Sequence, residues 1–136
     1  MTAHSRKLKI VTFTLNGLAF QCQLNSWVIK NNTPNGTRFY TYCADGDFIE
    51  DGEPDYSLVL KFFADWTSNG ISDYLTANDL QVAAFSLDHL PDIPGEHVRS
   101  AGNCKIMAPD LGGDVRTTER TEVTLPCIGK PVYTRL

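Results

Sequence analysis

Asp88, His89, Asp92, Glu96 and His97 fall within ten residues of one another. Carboxylates and imidazoles this close can hold a metal ion or pass protons in a hydrolysis. Their spacing matches no ordered ligand pattern, because there is no HExxH and no facial triad of two histidines and a carboxylate. No GxSxG elbow singles out a serine nucleophile. The stretch therefore reads as a solvated polar turn, and Pro91 and Pro94 keep it out of any central strand. Neither a GxGxxG nor a P-loop is present, so no nucleotide cofactor is expected.

A second candidate is acidic. Residues 45–55 carry six acids (Asp45, Asp47, Glu50, Asp51, Glu53 and Asp55) and no base. Such a run could bind calcium, but Asp45, Asp47 and Glu50 lack the glycine and glutamate that complete an EF-hand loop. A solvated face, or one that docks a partner, is the better reading. Arg99, Arg116 and Arg120 make at most a broken basic strip, since Glu119 and Glu122 interleave with it. On strand geometry Arg116 and Arg120 project to the same side. Phe62, Phe63 and Trp66 have the spacing of core packing rather than of a binding platform. No catalytic residue, cofactor or metal ligand is assigned, and no enzyme activity is expected.

The totals fit that reading. The chain has 136 residues, 42% hydrophobic and 21% charged, with a net charge of −4. One domain with its own core is the default at this size. The acidic balance argues against a dedicated nucleic-acid binder. No apolar run approaches the ~20 residues that span a bilayer, and residues 1–17 show no secretory signal. Cys22, Cys43, Cys104 and Cys127 form no CxxC and no zinc spacing. Cys22 is in phase with Phe20 and Leu24, and Cys127 with Val123 and Leu125, so both are expected in the core, with assembly in a reducing compartment.

The elements that must position these residues are mostly strands. Leu58, Leu60 and Phe62 alternate with Val59, Lys61 and Phe63, which predicts a strand buried on most of both faces. After Trp66, Ser68 or Asn69 is expected to cap a short helix over residues 69–78, with Ile71, Tyr74 and Leu75 on one stripe and Asn78 closing it in the left-handed conformation. Residues 82–87 form the next strand. Upstream, residues 10–15 form a strand, Asn16-Gly17 a hairpin turn, and residues 18–30 one long strand with a bulge near Asn25-Ser26. Residues 31–55 read as a long irregular loop, within which 37–43 could be a strand. Downstream, residues 97–108 and 116–128 are strands, and 129–136 a short tail. The expected fold is mainly β: an antiparallel sandwich or barrel with one short flanking helix. It is a single domain over residues 1–136, with an N-terminal arm at 1–8.

The order of these features resembles the major tail (tail-tube) proteins of long, flexible-tailed bacteriophages. The residues that carry the likeness are Leu58-Val59-Leu60-Lys61-Phe62-Phe63, Asp65-Trp66, Gly70-Ile71-Ser72-Asp73-Tyr74-Leu75 and Val82-Ala83-Ala84-Phe85-Ser86-Leu87. Thr121-Glu122-Val123-Thr124-Leu125-Pro126-Cys127-Ile128-Gly129-Lys130-Pro131 is similar to that family's closing strand. The resemblance runs from about Leu18 to the end of the chain. It implies a virion protein of the tail, assembled in the bacterial cytoplasm, whose hexameric rings stack into a tube. The implied partners are other copies of the chain, the tape-measure protein, the tail-terminator and tail-tip proteins, and DNA in transit, with no membrane.

Within that reading, charge segregation nominates the subunit-interface residues. The acids are Asp45, Asp47, Glu50, Asp51 and Asp55. The bases are Arg6, Lys7 and Lys9 of the arm, with Lys130 and Arg135 of the tail. Three alternatives stay open: a head–tail joining or tail-terminator ring, a monomeric β-sandwich that binds glycans or proteins through Phe39, Tyr40 and Tyr42, and a small hydrolase at residues 88–97.

Overall fold

The computed structural model describes residues 3, 5 and 7–136. Its centre is β6 (Tyr56–Phe63), where Leu58, Leu60 and Phe62 point inward and are fully buried. Period-2 alternation puts these three on one face. The other face is more open than the sequence suggests. Val59 is half-buried, Lys61 is exposed and Phe63 is 38% exposed, so β6 covers one layer only.

Around it runs a seven-stranded antiparallel sheet in the order β2-β1-β7-β8-β9-β6-β3. The remaining strands are β1 (Val11–Leu15), β2 (Leu18–Ala19), β3 (Leu24–Asn31), β7 (Val82–His89), β8 (Val98–Lys105) and β9 (Arg120–Arg135). The sheet curls into a half-barrel. Its inner face is lined by Phe13 and Leu15, by Ala83, Phe85 and Leu87, by Cys104, and by Val123 and Leu125. The single helix α1 (Ile71–Ala77) buries Ile71, Ser72 and Leu75 against this core. A seven-residue helix is too short to persist without such packing.

Several expectations hold. Asn16 and Gly17 take φ of 54° and 86°, the paired left-handed geometry of a tight hairpin turn. The ladder between β3 and β6 slips between Leu24 and Ser26, which is the expected bulge. Others need correction. Residues 18–30 are not one strand, because the chain turns at residues 21–23 between β2 and β3. That turn leaves Cys22 exposed, outside the core. Cys104 and Cys127 face each other across β8 and β9. Burial pushes the Cys104 thiol up to about 12 and raises that of Cys127 as well. Arg116 lies in the loop before β9, with φ of 62°, so it shares no strand face with Arg120.

The helix ends also differ. Gly70 is the N-cap, and neither Ser68 nor Asn69 caps it. The Asp65 carbonyl accepts the Ser72 and Asp73 amides at 3.2 and 3.4 Å, and the Ser72 hydroxyl accepts the Asp65 amide at 3.2 Å. This replaces a side-chain cap by satisfying the free N–H groups of the first turn directly. A Cβ on Gly70 would collide with Asp65, so the contact demands glycine there. Asn78 is not left-handed, at φ of −109°, and instead donates its amide side chain to the Tyr74 carbonyl at 2.9 Å.

Phe62 has no exposed surface. Phe62→Ala should cost about 3–5 kcal/mol through lost burial and the cavity left behind. Phe63→Ala, on the half-open face, should cost well under half of that, both read from urea titrations of the folded protein.

Candidate assembly surface

Residues 31–55 are irregular over most of their length, as expected, and the strand that 37–43 could form is present in part. They hold a two-stranded sheet, β4 (Thr37–Phe39) against β5 (Phe48–Glu50). Its pairing continues that of β3 and β6. Asn31 faces Tyr56 and Thr37 faces Glu50, an advance of six residues on each strand. One long hairpin thus runs from β3 to β6 without changing register. It is interrupted only between the Asn32–Asp55 backbone bond and Thr37.

Composition explains the break. Pro34 and Pro54 bring no backbone N–H to the ladder. Gly36 and Gly52 allow a close crossing there, since a Cβ on either would strike the opposing backbone at Glu50 or Pro34. Beyond the break, β4 and β5 make their substantial contacts with each other alone. Phe39 and Phe48 stack at 5.2 Å between centroids, yet Phe48 is 55% and Ile49 54% exposed. Tyr40 and Tyr42 near the tip are also exposed and border an open depression.

The acids assigned to an interface all lie on this arm or at its root. Asp45, Asp47, Glu50, Asp51 and Asp55 are exposed, and none forms an ion pair with another described residue. The bases fall in two other places. Lys7 and Lys9 are exposed in the segment before β1, while Arg6 lies outside the described residues. Lys9 borders a cavity of about 250 Å³ at the seam between the two sheet edges, with Leu8, Val11, Leu24 and Trp27. Lys130 and Arg135 do not sit in a loose tail. Residues 129–135 belong to β9: after a bulge at 129–131, residues 132–135 pair with β8, where Val98 faces Arg135. Pro131 and Gly129 hid this strand in the sequence, but Val132 and Tyr133 were a usable signal.

The polar cluster at residues 88–97 is divided between the sheet faces. Asp88 stands directly across from Arg99 on β8 and accepts two hydrogen bonds from its guanidinium, at 2.6 and 3.0 Å. His97 Nε2 lies 3.6 Å from the same carboxylate. The hydrogen bonds from Arg99 hold Asp88 below its ordinary carboxylate value. His89 turns inward and packs edge-on to Trp27 at 5.3 Å. Asp92 is exposed in the turn. Among the described residues no three potential ligands gather for a metal. Asp88 and His89 thus belong to the end of β7, not to the solvated turn expected over this stretch, and Asp88 is ion-paired there. Trp66, 39% exposed, donates to Glu119 at 3.0 Å and clips the strand end to the loop before β9, rather than filling the core.

No family model and no curated protein matches the chain. Among solved structures it is similar to a chain in the cryo-EM structure of an extracellular contractile injection system, the PVC sheath/tube terminator in its extended state. The TM-score is 0.68 at 10% sequence identity, over 99% of this chain and 100% of that one. The two chains share their fold along their whole lengths.

Asp88 gives a direct test of the strand-end network. Its folded value is depressed, so its stabilisation is present above the unfolded value of 3.8 and is lost as pH falls through the folded one. Asp88→Asn should lower the melting temperature at neutral pH. The gap to the unsubstituted protein should shrink in melts taken at progressively lower pH below 3.8. A constant gap would place the loss in packing rather than charge.

Proposed function

We propose that this chain is a structural subunit of a phage-tail-like particle, forming a closed ring that ends the tube. The observation that carries this reading is the end-to-end fold match to the sheath/tube terminator. The match runs over 99% of this chain and 100% of that one, so it is not a match of a common submotif.

The surface properties support a self-associating role. Two strand edges, β2 and β3, end the sheet, and open edges invite pairing with another chain. A repeated head-to-tail contact closes into a ring when its rotation permits. The arm from β4 to β5 exposes apolar side chains that the seven-stranded sheet does not cover, as interfaces do before assembly. On this reading the subunit performs no catalysis. It contacts its own copies and the end of a tube, and it works inside a particle built in a bacterial cytoplasm. An acidic subunit also suits a conduit, because each phosphate engaged by Lys or Arg would add affinity that hinders passage.

The second reading is a tube subunit whose rings stack repeatedly. It is favoured by the likeness of residues 58–87 and 121–131 to tail-tube proteins. The two readings differ in one respect: a terminator ring stops, and a tube ring propagates. Negative-stain microscopy of concentrated protein separates them. Single closed rings are expected, long tubes would move the assignment to the tube subunit, and a monomer at every concentration would contradict both.

A further inference from the structure

Two strand pairs leave the same end of the sheet and part company. The β6–β9 ladder stops at Ser57 facing Pro126. Beyond it, β9 continues through Arg135 with only β8 beside it, so residues 127–135 carry an open edge on the side that β6 had occupied. The arm from β4 to β5 projects beyond the same end, rooted in β3 and β6. Pro54, Pro126 and Pro131 withhold backbone donors where the ladder would have continued.

The register left unused is informative. Carried past Ser57 and Pro126 and over the two extra residues that β9 holds at 129–131, it would set Glu53 opposite Val132 and Asp51 opposite Thr134, so that both acids fall in the stretch bounded by Lys130 and Arg135. The arm is acidic and the β9 extension basic, and both expose apolar side chains. Val132 is 64% and Tyr133 62% exposed on β9, against Phe48 and Ile49 on the arm. Lys130 makes no ion pair among the described residues, and Arg135 spends one nitrogen on the Gly95 carbonyl.

We propose that the open edge of β9 at residues 127–135 receives the β4–β5 arm of a second copy of this chain. The arriving arm lies along that edge, with Asp51 and Glu53 of one copy near Lys130 and Arg135 of the next. Exchange of one element between identical subunits needs no new complementarity, since the sequence already holds both halves. Strand addition at an open edge supplies backbone hydrogen bonds, and the charges set the register. Lys9 at the seam is the competing basic surface. It lies beside a cavity rather than an open strand edge and is left to other contacts.

The inference rests on the ring reading, and the test keeps the two apart. Full-length protein is followed by sedimentation velocity as four species: unsubstituted, Lys130→Glu with Arg135→Glu, Asp51→Lys with Glu53→Lys, and all four changes together. Each double variant should raise the concentration for half-assembly by roughly tenfold or more, because like charges then meet. The quadruple variant should return it toward the unsubstituted value. Circular dichroism melts check that every species is folded. Double variants that assemble normally, or folded double variants that the quadruple does not rescue, overturn this contact and leave the ring reading standing. Unsubstituted protein that never assembles overturns the ring reading itself.

Discussion

One strand holds the two halves of this molecule together. β9 pairs with β6 along one edge and with β8 along the other. Without it, the hairpin of β3 and β6 and the group formed by β1, β2, β7 and β8 would be separate small sheets. Neither would bury enough apolar surface to offset the entropy of ordering its chain. With it, Leu58, Leu60 and Phe62 from one side meet Phe85, Leu87 and Phe13 from the other in a single core. The small helix then needs only to cover the inner face.

The same strand sets where the fold ends and the exposed surface begins. Its first half, where both edges are engaged, alternates buried Val123 and Leu125 with exposed Glu122 and Thr124. Its second half has one neighbour and is exposed almost throughout. A strand that is satisfied on one side and open on the other offers its free N–H and C=O groups to any strand that meets it, and proteins blunt such edges with proline and charge. Pro131, Lys130 and Arg135 do that here. The arm opposite is blunted in a similar way, by Pro34, Pro54 and its acids.

The sequence made the core legible because burial writes a period into it. Leu58-Leu60-Phe62, Ala83-Phe85-Leu87 and Val123-Leu125 all stand where their alternation placed them, and Asn16-Gly17 turns as its composition demands. The surface elements were less legible. β4 and β5 bury nothing and so carry no alternation; β4 was foreseen only as a possible strand over 37–43, and the turn-rich sequence of β5 reads as loop. The end of β9 is broken up by Gly129 and Pro131, which masked the signal of Val132 and Tyr133 and with it the pairing to β8. Cys22 kept the phase of a strand that the turn at residues 21–23 removes. The interface candidates were found by charge alone. Charge marks which residues face solvent but not which are neighbours, so it could not separate Lys9 at the seam from Lys130 on β9.

Taken together, the molecule has a firm half-barrel and an arm that the half-barrel does not support. A two-stranded sheet standing alone is marginal in water, so the arm needs a neighbour to become firm. Amide hydrogen exchange over residues 37–50, measured on dilute subunit and on the assembled form, addresses this most directly. Fast exchange is expected in the dilute protein and strong protection on assembly, with β6 amides protected in both. Equal protection of residues 37–50 in the two states would contradict that expectation.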